Sequence, residues 1–62
     1  MKSITILGAG ESGFGAAMLA RQKGLDVFVS DLNKINEDRK LKMIKNSIVF
    51  EEENHSFDKI KL

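Results

Sequence analysis

The chain has 62 residues, with ten lysines and arginines against nine aspartates and glutamates and a formal net charge of +1; this balance gives no general pull toward nucleic acid or an acidic membrane surface. With no cysteine and a single histidine, His55, disulfide staples and thiolate metal sites are excluded, and no zinc-type site is expected. The opening MKSITIL is too short an apolar run for a signal peptide or a membrane span, so a cytoplasmic setting is expected.

Ser3 to Leu7 (SITIL) is a β-branched, apolar run that stops at Gly8, and it reads as a strand buried on both faces, the kind used by parallel sheets. A glycine-rich loop follows. Phe14 to Lys23 then carries a helical pattern, with Phe14, Ala17, Met18 and Arg21 on one stripe. The small Ala16, Ala17 and Ala20 suit close approach to a sheet. Gly24 stands where a helix takes a left-handed stop. Leu25 to Ser30 (LDVFVS) is the second strand, completing a βαβ unit of about 30 residues. Asn33 is the expected cap of a second helix from about Ile35 to Lys45, with Leu41, Ile44 and Met43 facing inward and Asn46 as its left-handed stop. Ser47 to Phe50 reads as a third strand, and Ser56 starts a short third helix with Phe57 and Ile60 as its contacts. The fold class expected is α/β, a partial Rossmann-like parallel sheet. Three strands make about half of a doubly wound sheet, whose ligand crevice needs strands from both halves. The chain is therefore expected to be an N-terminal fragment, with Met1 a natural start and Leu62 a truncation.

The chemistry lies in Gly8-Ala9-Gly10-Glu11-Ser12-Gly13. These residues match G-x-G-x-x-G in the strand-to-helix setting that makes the motif meaningful. Gly8 is expected to make the tight turn, and Gly10 to let a diphosphate approach the backbone. Gly13 is expected to let the helix press on the strand. The helix N-terminus then offers N–H groups and partial positive charge to an anion. Glu11 is expected to face solvent or rest at the helix start, where its charge is favourable. Ser12 suits either donation to a phosphate oxygen or the N-cap. Asp31, eighteen residues after Gly13 at the end of the second strand, is placed to meet a nucleoside hydroxyl or base edge.

The run ILGAGESGFGAAMLARQKGLDVFVSD resembles the start of the Mur ligases, in particular their D-glutamate-adding branch, and FEEENHSFDKI is similar to the family's third-strand region. The resemblance implies that residues 1–62 are part of an N-terminal domain that grips the UDP end of a UDP-sugar-peptide substrate in peptidoglycan synthesis, a step of cell wall biogenesis and cell division. It implies diphosphate contacts at Gly10, Glu11 and Ser12, mainly through backbone N–H groups, in a UDP site that also takes in Gly8 and Gly13 of the loop, with Asp31, Leu32 and Asn33 at the uridine end. The family activates a carboxylate as an acyl phosphate with ATP and Mg2+ and lets D-glutamate attack. Its ATP loop, G-x-x-x-x-G-K-[ST], belongs to a central domain and has no match here. The central and C-terminal domains are expected to be absent. No residue of this chain is expected to be catalytic or to bind a metal or cofactor, and the chain alone is expected to be inactive.

Two other readings fit the loop. One is the first part of an NAD- or FAD-dependent oxidoreductase, since Asp31 suits an adenosine ribose as well as uridine. The other is a stand-alone binding module that pairs its exposed sheet edges with a second copy. The remaining features have ordinary explanations. Lys34 to Lys45, with five basic and two acidic residues, reads as a solvated helix face, because no aromatic residue interleaves it for nucleic acid. Glu51 to Glu53 reads as a solvated strand exit, His55 as structural, and Met18 and Met43 as core fillers.

Overall fold

The structure, a computed structural model, describes residues 2–53. Five elements follow in chain order: β1 (Ser3–Leu7), α1 (Glu11–Gln22), β2 (Asp26–Ser30), α2 (Glu37–Lys45) and β3 (Val49–Glu51). The strands form one parallel sheet in the order β1-β2-β3, each joined to the next through a helix. This is the partial Rossmann-like α/β arrangement expected, one half of a doubly wound sheet. The expected third helix from Ser56, with Phe57, Ile60 and the preceding His55, lies outside the described residues.

Register decides which side chains become core. Ile4 pairs with Val27, Ile6 with Val29, and Val29 with Phe50. Because strand side chains alternate, these five share one face. Val27 and Val29 are buried there with Ala17 and Ala20 of α1 and Met43 of α2, joined by Ala9, Ile35 and Ile48. Both helices thus cover the same side of the sheet. The small Ala17 and Ala20 let α1 come close, and α1 touches both β1 and β2.

The opposite face carries Thr5, Leu7, Phe28 and Val49, and there the expectation for β1 is corrected. Leu7 is 63% exposed and Val49 60%. A strand buried on both faces needs a layer on each, and among the described residues no helix lies on this one. An apolar, β-branched run reports its suitability for a two-sided sheet without reporting where the second layer comes from.

Both helices end in the same way. In α1, Gly24 takes φ +86, its N–H donates to Arg21 O, and the Leu25 N–H donates to Ala20 O. In α2, Ser47 takes φ +60, donating to Ile44 O while Ile48 donates to Met43 O. Each is a Schellman stop. The stop expected at Asn46 falls one residue later, since Asn46 at φ −101 is still the half-helical C-cap. Ser47 and Ile48 are spent on that stop, so β3 begins at Val49 rather than Ser47. Arg21 ties the two ends together, donating through Nε to Asn46 O and through Nη1 to Leu25 O.

The start of α2 is also corrected. Asn33 does not cap it; its N–H is held by Asp31 Oδ1 at 2.8 Å in a turn directly after β2. The chain then runs on to bury Ile35, and Asn36 caps the helix by accepting from Arg39 N–H at 3.1 Å. From that start, Met43 is buried completely while Leu41 and Ile44 are 64% and 63% exposed. The inward side of α2 is Arg39, Lys40 and Met43, with charged side chains using their aliphatic stems.

Candidate functional site

Gly8 to Gly10 join β1 to α1, and each glycine of the motif meets a different demand. Gly8 takes φ +96, a left-handed turn, and its N–H donates to Ser30 O at 2.7 Å, extending the β1–β2 pairing. Gly13 lies against that turn: a Cβ there would collide with the Gly8 carbonyl oxygen and lie 3.0 Å from its carbon. Gly10 is the N-cap of α1 at φ −69, ψ −173, and a Cβ there would meet nothing within 4 Å. The loop is therefore closed against the sheet at Gly8 and Gly13 and open at Gly10.

Phe14 N–H donates to Gly10 O at 2.8 Å, the first bond of the helix. The N–H groups of Glu11, Ser12 and Gly13 precede it and have no carbonyl within the helix to meet. They carry the partial positive charge of the helix start. Glu11 and Ser12 are exposed in this first turn. The cap role considered for Ser12 falls to Gly10, which makes no side-chain bond. Ser12 thus stands inside the helix, exposed in its first turn.

Asp31 sits where the spacing places it, just beyond β2, and its carboxylate reaches back to the loop. Oδ2 accepts from Ala9 N–H at 2.7 Å and Oδ1 from Asn33 N–H. On the other side of Ala9, Arg39 Nη1 donates to Ala9 O at 3.2 Å, with its guanidinium carbon 5.9 Å from the centroid of the Phe14 ring. Ala9, 3% exposed, is held through both its N–H and its carbonyl. Leu32 is 65% exposed beside the site, and Asn33, also exposed, accepts at its carbonyl from Glu53 N–H.

A second carboxylate fixes the frame behind the loop. Glu52 Oε1 accepts from Ile35 N–H at 2.9 Å, and Oε2 binds Lys40 Nζ at 2.7 Å. Lys40 also binds Glu37 at 2.9 Å. The bond to Glu52, then that to Glu37, raises the Lys40 pKa above its ordinary value. The Lys40 ammonium, then the Ile35 N–H, lowers that of Glu52. A lowered carboxylate pKa gives stability present above the ordinary glutamate range and lost as pH falls through the folded value. A raised lysine pKa gives stability present below the ordinary lysine range and lost as pH rises through the folded value. The network is thus complete between those ranges. In thermal unfolding at a series of pH values, the chain should lose more stability on acidification than Glu52→Gln does. Equal acid limbs for the two would remove Glu52 from this role.

The structure gathers Gly8, Gly10, Glu11, Ser12, Gly13 and Asp31 around one loop, with Leu32 and Asn33 on the segment beyond Asp31. Arg39 and Glu52 belong to the same frame and escape sequence reading. No motif spacing marks them, and a charged residue on a short helix or a strand exit looks like solvated surface. Among the described residues no cluster of acidic, histidine or cysteine side chains is built to hold a metal ion. No helix among them is long and apolar enough to cross a membrane.

The chain is similar to curated UDP-N-acetylmuramoylalanine–D-glutamate ligases. That of Bacteroides fragilis is 48% identical over 60 residues, 97% of this chain and 14% of the relative. That of Porphyromonas gingivalis is 53% identical over 53 residues, 86% and 12% of the two. That of Chlorobium phaeobacteroides is 38% identical over 55 residues, 89% and 12%. The chain thus spans about one seventh of the length of the curated relatives it matches, at their N-terminal end. No family model matches it, and no solved structure does.

Proposed function

We propose, from the premise that this chain is a homologue of the N-terminal segment of the D-glutamate ligases of the Mur family, that it forms the part of such a ligase that grips the UDP end of a UDP-sugar-peptide substrate. The open position at Gly10 carries this reading. It stands beside N–H groups that have no helical partner, in a loop locked everywhere else. A diphosphate laid there would accept from the N–H groups of Gly10 to Gly13 and from the Ser12 hydroxyl. Asp31, at the end of β2, would stand at the uridine end, with Leu32 and Asn33 alongside. Glu11, at the helix rim, would keep its charge in solvent.

In this proposal residues 1–62 belong to the N-terminal domain, and the central ATP-binding and C-terminal domains lie outside them. The whole ligase would join D-glutamate to UDP-N-acetylmuramoyl-alanine through a carboxylate activated with ATP and Mg2+, in the cytoplasm. The described residues do not fit that activation: they hold neither an ATP phosphate loop nor a magnesium cluster, so no chemical step is assigned to them. The relatives favour the ligase over an oxidoreductase with the same glycine motif. For the chain by itself, self-association through the edge strands β1 and β3 is the accompanying proposal.

The test is an amide-shift titration of the full chain with UDP and, separately, NAD. Shifts at Gly10 to Gly13 and Asp31 with UDP alone support the reading; shifts with NAD alone overturn it. Gly10→Ala sharpens the result. Its dihedrals suit alanine and its surroundings are empty, so unfolding should move by no more than about 0.5 kcal/mol. The new methyl would occupy the approach of the diphosphate, and UDP affinity should fall at least about tenfold. Unchanged affinity would show that the anion does not approach at Gly10.

A further inference from the structure

Arg39 stands on α2, thirty residues from the loop it touches. Its guanidinium donates to Ala9 O and lies over the Phe14 ring, while its own backbone N–H is taken by the α2 cap, Asn36. We infer that Arg39 is a positioning residue of the diphosphate loop, holding the Ala9–Gly10 peptide in the orientation that binds the anion. This rests on the reading of the loop proposed above.

The geometry gives the reason. Carbonyl and N–H point to opposite sides of a planar trans peptide. Anchoring the Ala9 carbonyl on Arg39 therefore turns the Gly10 N–H away from α2. Asp31 fixes the preceding peptide in the same way, by accepting the Ala9 N–H. Two consecutive peptides are set, one by a carboxylate and one by a guanidinium, and neither anchor uses the open position at Gly10. Gly10 has open space around it, so without these anchors the Ala9–Gly10 peptide has other orientations to visit, and an anion would have to select one. Arg39 also brings a positive charge to the loop. Only one of its five N–H donors is needed at Ala9.

The experiment compares the full chain with Arg39→Ala and Arg39→Lys by amide shifts and UDP titration. Arg39→Ala should move the Gly10 amide before any ligand is added and weaken UDP binding about tenfold, the scale of one charge-assisted hydrogen bond. The amides of β1 and β2 should stay in place. Lysine keeps a donor and the charge, and should bind within about threefold of the unmodified chain. A folded Arg39→Ala that binds UDP within twofold of the unmodified chain, with Gly10 unmoved, overturns the inference while leaving the UDP reading intact. A folded lysine variant no better than alanine overturns it too, by assigning Arg39 to packing on Phe14. Should alanine unfold the chain, lysine decides alone: affinity within threefold supports the role, and a tenfold loss overturns it. An unmodified chain that shows no UDP shifts overturns both readings together.

Discussion

Gly13→Ala is expected to destabilise the chain by about 3 kcal/mol, at the upper end of overpacking costs, and to abolish UDP binding with it. The added methyl would collide with a backbone carbonyl oxygen, that of Gly8, with Ile6 Cγ2 at 3.5 Å closing the other side. A flexible side chain in the way would swing aside cheaply, but Gly8 cannot. Its N–H is bonded to β2 at 2.7 Å and its φ of +96 already defines the turn. The helix would have to lift away from β1, carrying its N–H groups with it. A chain of this length has roughly 3–9 kcal/mol of stability in all, so the change consumes a large part of it. Gly15→Ala is the control, two residues along the same helix with open space at its Cβ. There the gain in helix propensity should stabilise by about 0.5–1 kcal/mol. Denaturant midpoints measure both, and equal midpoints for the two variants would contradict the close approach at Gly13.

The contrast also shows what was legible in the sequence. β1, the glycine loop, the Gly24 stop and Asp31 at the end of β2 follow from local chemistry: a β-branched run, a left-handed turn, a residue without Cβ at a close approach. Each is decided within a few residues, and each stands where expected. The second helix is decided at longer range. Asn33 and Asn36 are equally good caps by residue type. What selects Asn36 is the Asp31 carboxylate holding Asn33 in a turn and Glu52 holding Ile35 from seventeen residues away. The functional frame divides in the same way. The motif residues are visible by spacing, whereas Arg39 and Glu52 act only because the sheet order brings α2 and the end of β3 to the loop. The open face of β1 follows the same logic, since burial on a second side is set by a layer rather than by the strand.

Met43→Ala is expected to cost about 2–5 kcal/mol, and it discriminates between the two faces of α2. Hydropathy turns Leu41, Ile44 and Met43 inward alike, but in the structure Leu41 and Ile44 are more than 60% exposed while Met43 is 0% exposed. Leu41→Ala and Ile44→Ala should therefore change stability by no more than about 0.5 kcal/mol each. Should Leu41→Ala prove costlier than Met43→Ala in the same denaturation series, the orientation of α2 described here would be wrong. More than stability depends on the answer. Met43 lies one turn after Arg39 on the same side of the helix, and the core it fills with Val29, Ile35 and Ile48 seats α2 against the sheet. The Lys40–Glu52 ion pair ties α2 to the residue just after β3. It is too near the surface to hold the helix alone. A cavity at Met43 should loosen α2 and release Arg39 from the Ala9 carbonyl. In a folded Met43→Ala chain the Gly10 amide should then shift as in Arg39→Ala, although the mutated side chain belongs to the core and not to the loop.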